Sequence, residues 1–406
     1  MTEIATSGHV ARATTRDAIA RAEPAPGEAA PVALASVAIE GWRALAERAI
    51  EPNGFYRPDW ALAAEAFARD RRGQLALMAW SDGPDGGARL NGLLPVILLW
   101  RACRVPLPAL ASADAYGTLC TPLLDRDNGL PAVEELMRQA RRAGARALIL
   151  RDVTLDGAAM KIFSRVLAAD GLRVSVLQSN PRACLDATRN AEELLREALG
   201  AKKLKELRRQ RHRLGDHGEV RFTVARTADE VARALDIFLA LEAGGWKGGR
   251  GTALLQHGGD AAFIRGAAVT LAEQGGCEIA LLRAGTTPVA AAILVRHQDR
   301  AFYFKLGVNE RFAKFSPGVQ LTLDITRHFC ADPAITVADS LATPDHPMIN
   351  PIWRGRLAVG DVMIPLRRND PVVALIHAAM LLRQRLRVLA RRAVHLVRKL
   401  KRMRTR

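Results

Sequence analysis

Apolar and polar residues alternate along most of the chain in patterns that predict both helices and strands. In the first part, the spacing over Trp60–Arg69 predicts an amphipathic helix, and the run Leu75–Trp80 predicts a strand. The sequence SDGPDGGA at residues 81–88 predicts a turn, so Leu93–Trp100 is expected to return as the second strand of a hairpin. A further strand is predicted over Ala147–Val153. These patterns indicate a mixed α/β fold.

The second part of the chain opens with a charged helix over Ala191–Leu214 and then carries three apolar runs. These predicted strands are Glu278–Arg283, Val289–His297 and Ala301–Val308. Their connections, GTTP and QDR, have room only for antiparallel hairpins. Strands over Ile335–Asp339 and near Val362–Leu366 are expected to complete this half.

The loop after the third of these strands contains Ser316-Pro317-Gly318, and a helix is predicted to begin near Val319. Proline loses no hydrogen bond in a first helical turn, and glycine lets a ligand approach the backbone closely. The unpaired N–H groups and the dipole of such a helix start attract anions. The tripeptide alone is more typical of an ordinary helix start with a serine cap. The preceding strands favour a ligand site, here for a pyrophosphate-bearing cofactor.

Two further segments concentrate groups that can do chemistry. Glu242 ends a predicted helix at a glycine-rich turn, where Trp246 and Lys247 follow; this is also a plain helix-capping turn. After the strand that ends at Asp339, the loop sequence SLATPDHPMINPIWR carries His346. Its intrinsic pKa near 6.5 suits a histidine to take a proton from an amine or a hydroxyl group. A polar loop that caps the next helix is the alternative.

Composition and charge narrow the class of protein. With 406 residues, two domains are expected, and five scattered cysteines favour reduced thiols over disulfides or a zinc site. Residues 1–35 are predicted to be a disordered leader without a secretory signal. No apolar run reaches the roughly 18 residues of a membrane span. We therefore expect a soluble or peripheral protein.

The net charge of +17 comes from two segments. Residues 201–214 contribute +6 and residues 367–406 contribute +12, so the rest of the chain is close to neutral. In the tail, apolar residues recur at alternating spacings of four and three between arginines, which predicts a basic amphipathic helix over Pro371–Arg406. The absence of aromatic residues there disfavours both base stacking on nucleic acid and tryptophan anchoring in a membrane interface. The basic charge and the apolar stripe favour docking on a membrane surface or a coiled-coil partner.

Four segments together resemble the GNAT superfamily of acyltransferases, in its BioF2-like or CelD/BcsL-like group, which is related to FemAB proteins. These are KKLKELRRQRHRL, LEAGGWKG, AFYFKLGVNERFAKFSPGVQL and DSLATPDHPMINPIWR, within residues 195–368. The first half resembles a degenerate GNAT-like domain more weakly, through FYRPDW and LLPV. The resemblance implies tandem GNAT-like domains: a leader (1–35), an N-terminal domain (36–190), an acyltransferase domain (191–368) and a basic helix (369–406).

The resemblance also implies a site for acetyl-CoA or another acyl-CoA, and no metal. The residues expected to hold this donor are Lys314, Ser316, Pro317, Gly318, Val319, Phe304 and Leu306. On the acceptor side we expect Trp246, Lys247, Asp345, Asn350 and Trp353. His346 is the first candidate base and Glu242 the second; Asp339 or Asp345 would orient the histidine, and Tyr303 would protonate the thiolate. The sequence departs from the usual Q/R-x-x-G-x-G/A loop, because it has only Gly318.

The implied reaction is direct N- or O-acyl transfer in a ternary complex, and the family name suggests a polysaccharide or envelope precursor as the acceptor. A FemAB-like aminoacyl transferase that uses charged tRNA is one alternative. An inactive GNAT-fold scaffold docked on a membrane is another. A cytoplasmic protein is expected, with peripheral contact at the inner face of the membrane through residues 371–406.

Overall fold

Thirteen strands form one continuous sheet in the described part of the chain. The computed structural model describes residues 30–83 and 86–404, and at 246–247 and 391–404 it describes the backbone only. The strands are β1 (Val32–Ala33), β2 (Leu75–Asp82), β3 (Ala88–Leu98), β4 (Ala109–Ser112), β5 (Leu123–Leu124), β6 (Ala147–Thr154), β7 (Ser175–Asp186), β8 (Val220–Ala225), β9 (Cys277–Ala284), β10 (Thr287–His297), β11 (Arg300–Val308), β12 (Val337–Asp339) and β13 (Gly355–Pro365).

The sheet is built from two similar halves that meet where β7 pairs antiparallel with β12. The strand order is β1-β2-β3-β4-β6-β13-β7-β12-β11-β10-β9-β8, with β5 paired to β3. We call the part from β1 to β7 the first half and the part from β8 to β12 the second half. Each half contains one parallel pair, β4 with β6 and β11 with β12, while the other pairings are antiparallel.

Helices pack against both halves of this sheet. They are α1 (Ile39–Glu47), α2 (Pro58–Phe67), α3 (Leu99–Cys103), α4 (Gly129–Arg142), α5 (Ala158–Ala169), α6 (Ala191–Leu214), α7 (Ala228–Gly244), α8 (Trp246–Gly249), α9 (Gly258–Ala272), α10 (Pro317–Cys330) and α11 (Pro371–Arg404). The sequence TADE at residues 227–230 is typical of a capping box, and α7 has one, in which Thr227 and Glu230 satisfy each other's backbone N–H groups.

Several predicted elements have different bounds in the structure. The charged helix α6 spans the predicted residues but is interrupted at Gly200, whose φ of 71° breaks the helical ladder. Val32–Ala33 pairs with β2 and Leu34 is fully buried, so ordered chain begins before residue 36. The other residues of the predicted leader, up to residue 29, lie outside the described residues.

The last strand is the largest difference from the sequence-based expectation. The apolar run near Val362–Leu366 was expected to complete the second half. In the structure β13 instead lies in the first half, antiparallel to β6 on one side and to β7 on the other. The backbone groups of β6 and β7 are thus satisfied by a strand that follows them by about half the chain, a pairing that local patterns do not encode.

A buried histidine helps to join the two halves. Asn53 donates its backbone N–H to Nδ1 of His297 (2.9 Å), and Nε2 lies 3.0 Å from the carbonyl oxygen of Ala46. Burial, together with the nearby Arg57 charge, lowers the pKa of His297 to about 3. The ring is therefore neutral at physiological pH, with its proton on Nε2, and it serves as a connection between the halves.

Candidate functional site

The structure places the predicted cofactor loop, the third meander strand and the histidine loop around one cleft. This first cleft has a volume of about 840 Å³ and lies between β11, the N-terminus of α10 and the segment after β12. It opens because β12 ends at Asp339, opposite Phe302, whereas β11 continues to Val308. Its lining includes Tyr303, Phe304, Lys305, Leu306, Val308, Ser316, Pro317, Gly318, Ser340, Leu341, Ala342, Thr343, His346 and Met348.

The loop before α10 differs from the simple serine cap. Ser316 takes a left-handed conformation (φ 53°, ψ 51°), and its side chain does not cap the helix. Pro317 has no N–H, and Gln320 makes the first bond of the helix, to the Ser316 carbonyl oxygen (3.0 Å). The N–H groups of Gly318 and Val319 therefore precede the helical ladder, at the positive end of the dipole.

Gly318 also has a packing role that the sequence did not reveal. A Cβ atom at this position would lie 3.0 Å from Leu306 Cδ2 and 3.2 Å from Val308 Cγ1. The glycine thus lets the first turn of α10 lie directly against β11. Lys314 is exposed and lies over the Phe315 ring (4.8 Å), outside the cleft lining.

His346 lines the first cleft, but its geometry suits proton donation better than proton removal. Its Nδ1 accepts the backbone N–H groups of Met348 (3.3 Å) and Ile349 (3.4 Å). In the neutral ring the proton is then on Nε2. An incoming proton would have to displace these backbone bonds at Nδ1.

The carboxylates of Glu242 and Asp339 are buried and engaged with other groups. Glu242 accepts the Leu254 backbone N–H (2.9 Å) and lies 3.3 Å from Lys305 Nζ, so it holds that lysine at the cleft wall. Asp339 accepts the Leu341 backbone N–H (2.8 Å) and pairs with Arg182 (3.3 Å). Neither residue is among those that line the cleft.

Tyr303 lines the cleft through a largely buried side chain. Its hydroxyl lies 3.2 Å from Thr322 Oγ1, and burial raises its pKa. Trp353 lies behind it in the core and donates Nε1–H to Thr326 Oγ1 (2.9 Å). The predicted acceptor-side tryptophan therefore supports the wall from within.

The other predicted acceptor-side residues are dispersed. Asp345 is exposed and lines a neighbouring cleft, while Asn350 donates to the Pro344 carbonyl oxygen. The side chains of Trp246 and Lys247 lie outside the described residues. The first cleft thus collects five of the seven predicted donor residues, without Lys314 and Val319, but it does not collect the predicted acceptor residues.

A second cleft of about 550 Å³ adjoins the first, and Leu341, Ala342 and Thr343 line both. Its walls come from the first half of the sheet, β13 and α11. The charged residues along it are Asp152, Arg182, Asp345, Asp361, Arg383 and Arg387, and polar residues such as Gln178, Asn180 and Gln384 lie between them.

Asp152 occupies the end of β6 in an unusual setting. Its φ of 47° is left-handed, and its N–H donates to Asp361 Oδ1 (3.0 Å). Arg182 Nη2 lies 3.7 Å from its carboxylate. Burial of the group and the negative charge of Asp361 raise the pKa of Asp152 to about 6.

A match to a known protein family covers most of the segment that forms the first cleft. Residues 201–346 match the family described as acetyltransferase (GNAT) domain. This segment is therefore a GNAT domain. The predicted GNAT resemblance, the mixed α/β fold and the acyltransferase class are confirmed. Among proteins of curated function, none matches this sequence.

Solved structures resemble this chain over most of its length at low sequence identity. The C-terminal domain (DUF2156) of a putative lysylphosphatidylglycerol synthetase from Agrobacterium fabrum superposes with a TM-score of 0.50 and 14% identity, over 84% of this chain and 96% of that chain. FemX gives 0.50 and 13%, over 84% and 98%. A tandem GNAT protein from the clavulanic acid biosynthesis pathway gives 0.40 and 14%, over 84% and 99%.

The matched GNAT segment contains the whole loop before α10 and ends at His346. Asp152, Arg182 and Asp361 lie outside this matched segment, and local sequence patterns did not indicate them as site residues. A signal for Asp152 was present, since Arg151-Asp152 interrupts the otherwise apolar run ALILRDV of a predicted strand. Nothing local in the sequence indicates that Arg182 and Asp361 lie beside it.

Proposed function

We propose that the first cleft binds an acyl-CoA and that the protein transfers its acyl group directly to an acceptor. The observation that carries this proposal is the convergence of three elements on one cleft. The N-terminus of α10 supplies a positive end for the pyrophosphate, β11 lies along the length of the cleft, and the segment after β12 forms the opposite wall.

The basic segment of α6 supports an anionic donor. It packs beside α10, where Leu207 O accepts the Gln320 side-chain amide (2.8 Å) and Arg211 pairs with Asp324 (2.7 Å). Exposed lysines and arginines continue along the same helix at Lys202, Lys203, Lys205, Arg208 and Arg209. Their field would raise the local concentration of a ligand that carries several phosphates.

The expected chemistry needs only groups that the cleft provides. Beyond Phe302, no strand covers the outer edge of β11 among the described residues, so its backbone can align the pantetheine arm and the thioester. His346, with its proton on Nε2, and Tyr303 are the donors placed to protonate the departing thiolate. No covalent enzyme intermediate is required.

Calorimetry with acetyl-CoA tests this proposal. We expect saturable binding at a single site, and titration with palmitoyl-CoA would report how long an acyl chain the cleft accepts. A charged tRNA is the competing donor. Absence of acyl-CoA binding, combined with tRNA binding that weakens steeply with salt, would favour an aminoacyl transferase instead.

We also propose that α11 docks on an anionic lipid surface, which is the peripheral membrane contact expected from the sequence. One face of α11 is buried against the first half through Ile376 and Met380. The leucines at 382, 386 and 389 are each more than half exposed, and arginines lie between them. No described helix is long and apolar enough to span a membrane. An exposed apolar stripe flanked by arginines is typical of helices that lie in the membrane interface.

A further inference from the structure

We propose that the second cleft binds the acyl acceptor, a hydroxylated primary amine carrying an acidic group, and that Asp152 accepts the proton this amine loses. The inference rests on the proposed acyl-CoA site in the first cleft. Because the two clefts share Leu341, Ala342 and Thr343, an acceptor in the second cleft lies one short wall away from the donor.

The shared wall is held in place by local hydrogen bonds. Asp339 accepts the Leu341 N–H (2.8 Å), and Ser340 Oγ accepts the Ala342 N–H (3.2 Å). Leu341 itself is left-handed (φ 51°), a conformation that a leucine adopts only when its surroundings impose it. The three shared residues are therefore held in fixed positions where the two clefts adjoin.

Asp152 is the carboxylate best placed to accept a proton. Glu242 and Asp339 are buried in ion pairs, and Nδ1 of His346 accepts two backbone N–H groups. Asp152 also lies near an arginine, Arg182 (3.7 Å), but its side chain is only partly buried, at 41% exposed, and it lines the second cleft. Its pKa of about 6 suits proton exchange near neutral pH.

The reaction balances without any further reagent. Asp152 takes a proton from the acceptor ammonium group, and the resulting amine attacks the thioester carbonyl carbon. A C–N bond forms and the C–S bond breaks. Coenzyme A leaves as a thiolate that takes a proton from a donor of the first cleft. The attacking nitrogen loses its second proton, which restores that donor, and the amide remains in the second cleft.

The charges of the second cleft define the acceptor class. Asp152 and Asp361 lie together at one side and favour an ammonium group, whereas Arg383 and Arg387 on α11 favour a phosphate or a carboxylate. The lining between them is rich in amide and hydroxyl side chains, which suits a ligand with several hydroxyl groups; these residues are Thr118, Gln178, Ser179, Asn180, Thr343 and Gln384.

The first experiment measures release of coenzyme A thiol from acetyl-CoA with five acceptor probes, using the full chain. The primary amines are glucosamine 6-phosphate, glucosamine, phosphoethanolamine and lysine, and glucose 6-phosphate is the probe without an amine. We expect transfer to the amines and none to glucose 6-phosphate. Glucosamine without its phosphate should show a higher KM than glucosamine 6-phosphate.

Asp152→Asn should lower kcat/KM by about 100-fold or more, while the Kd for acetyl-CoA stays within about twofold. Asparagine tolerates the left-handed conformation, so this variant should fold. Asp156→Asn is the matched control, because Asp156 is an exposed aspartate four residues away that lines neither cleft, and it should leave both constants unchanged.

A second variant distinguishes a proton acceptor from a structural residue. The charge of Asp361 raises the pKa of Asp152, while those of Arg182 and Arg151 lower it and that of Asp114 raises it. Asp361→Asn should therefore shift the acid limb of the kcat/KM profile to lower pH. Arg383 and Arg387, which face the cleft from α11, remain in place in this variant.

Three results would overturn the inference while leaving acyl-CoA binding intact. The first is bound acetyl-CoA that is transferred to none of the amines. The second is full activity in folded Asp152→Asn, and the third is an acid limb that Asp361→Asn does not move. Loss of acetyl-CoA binding in the wild-type protein would instead contradict the proposed function itself.

Discussion

The two parallel strand pairs of the sheet have the same local topology but different surroundings. In the first half, β4 leads through α4 to β6, and in the second half β11 leads through α10 to β12. Each pair is in register over three residues, Ala109–Ala111 with Ala147–Ile149 and Arg300–Phe302 with Val337–Asp339. A space beyond the end of the parallel pair is therefore available in each half.

In the first half this space is filled by the chain itself. The segment after β4 is pinned by Tyr56, whose hydroxyl donates to Ala113 O (2.6 Å), and by Trp60, whose Nε1–H donates to Ala115 O (2.5 Å). Phe55 packs so closely on Gly117 that a Cβ there would lie 2.4 Å from its ring. The start of α4 is covered as well, because Gly129 lies against Ile162.

In the second half the equivalent space is the first cleft, and the start of α10 lines it. The aromatic residues that fill the first half stop at Phe304, which packs against both Phe55 and Trp60. The comparison shows that the topology creates the space, and that the residues after the third strand decide whether it is packed or left open for a ligand.

The largest expected effect on stability comes from removing an aromatic side chain that fills the first half. Trp60 is fully buried and packs edge-on against Phe55, Phe263 and Phe304. Trp60→Ala should reduce the free energy of unfolding by about 4 kcal/mol, as measured by denaturant titration. Trp100→Ala, at a site 48% exposed, should change it by less than about 0.5 kcal/mol. Equal effects of the two variants would show that the first half is not a packed counterpart of the cleft.

Low pH should destabilise the second half more strongly than the first. Burial opposes ionisation of Glu278, but hydrogen bonds from His328 and Arg296 outweigh it and lower its pKa from 4.5 to about 2. A lowered folded-state pKa stabilises the protein above about pH 4.5, and this contribution disappears as the pH falls toward 2. Glu278→Gln should therefore remove roughly 3 kcal/mol at pH 7 and little at pH 2.

Asp125 is the matching carboxylate of the first half. Burial again opposes ionisation, but Arg48 and Arg89 lower its pKa from 3.8 to about 2. Asp125→Asn should cost about 2 kcal/mol at pH 7. Unfolding measured between pH 2 and 7 compares the variants, and a larger pH-dependent loss for Asp125→Asn would reverse the ranking of the two halves.

A charged side chain placed at the open half should abolish ligand binding. Gly318→Glu introduces a carboxylate at the start of α10, where we expect acetyl-CoA affinity to fall at least about 100-fold because the charge repels phosphate and because the new Cβ atom, 3.0 Å from Leu306 Cδ2, crowds the cleft wall. Gly266→Glu on α9, where a Cβ meets nothing within 4 Å, is the control and should bind normally. Unchanged calorimetric affinity in folded Gly318→Glu would separate the loop from the ligand site.

The smallest expected effect concerns the outer surface that α11 adds to the first half. Leu386→Ser should weaken partition onto phosphatidylglycerol vesicles about fivefold, because one exposed leucine no longer enters the lipid. Ile39→Ser, at another exposed apolar site on α1, should leave partition unchanged. Sedimentation with vesicles measures both, and an equal loss in the two variants would argue against docking through α11.

Local patterns in the sequence predict the elements of the second half well. The three-strand meander, the capping box at Thr227 and the helix after Gly318 each depend on neighbouring residues, and all are present. Contacts between residues that are distant in sequence could not be predicted from such local patterns. Trp353 lies in a polar loop sequence and Asp339 directly precedes it, yet both side chains are buried. Trp353 bonds to Thr326, and Asp339 pairs with Arg182.

The same limitation applies to the candidate site. The donor residues are close in sequence, so the loop and strand could be associated with each other before the structure was known. Asp152 and Asp361 are 209 residues apart and meet only because β13 inserts next to β6. The second cleft is a product of tertiary pairing, and no single segment of the sequence carries its signature.

The insertion of β13 between β6 and β7 has a consequence for how the chain acquires its structure. A ribosome releases the residues of the first half long before it releases Gly355–Pro365. Until then β6 and β7 each have an unpaired edge. Long-range pairing of this kind slows folding, and it makes folding of the two halves interdependent. A fragment that ends near residue 190 should therefore aggregate, and the protein should complete its folding only after nearly all of it has been synthesised.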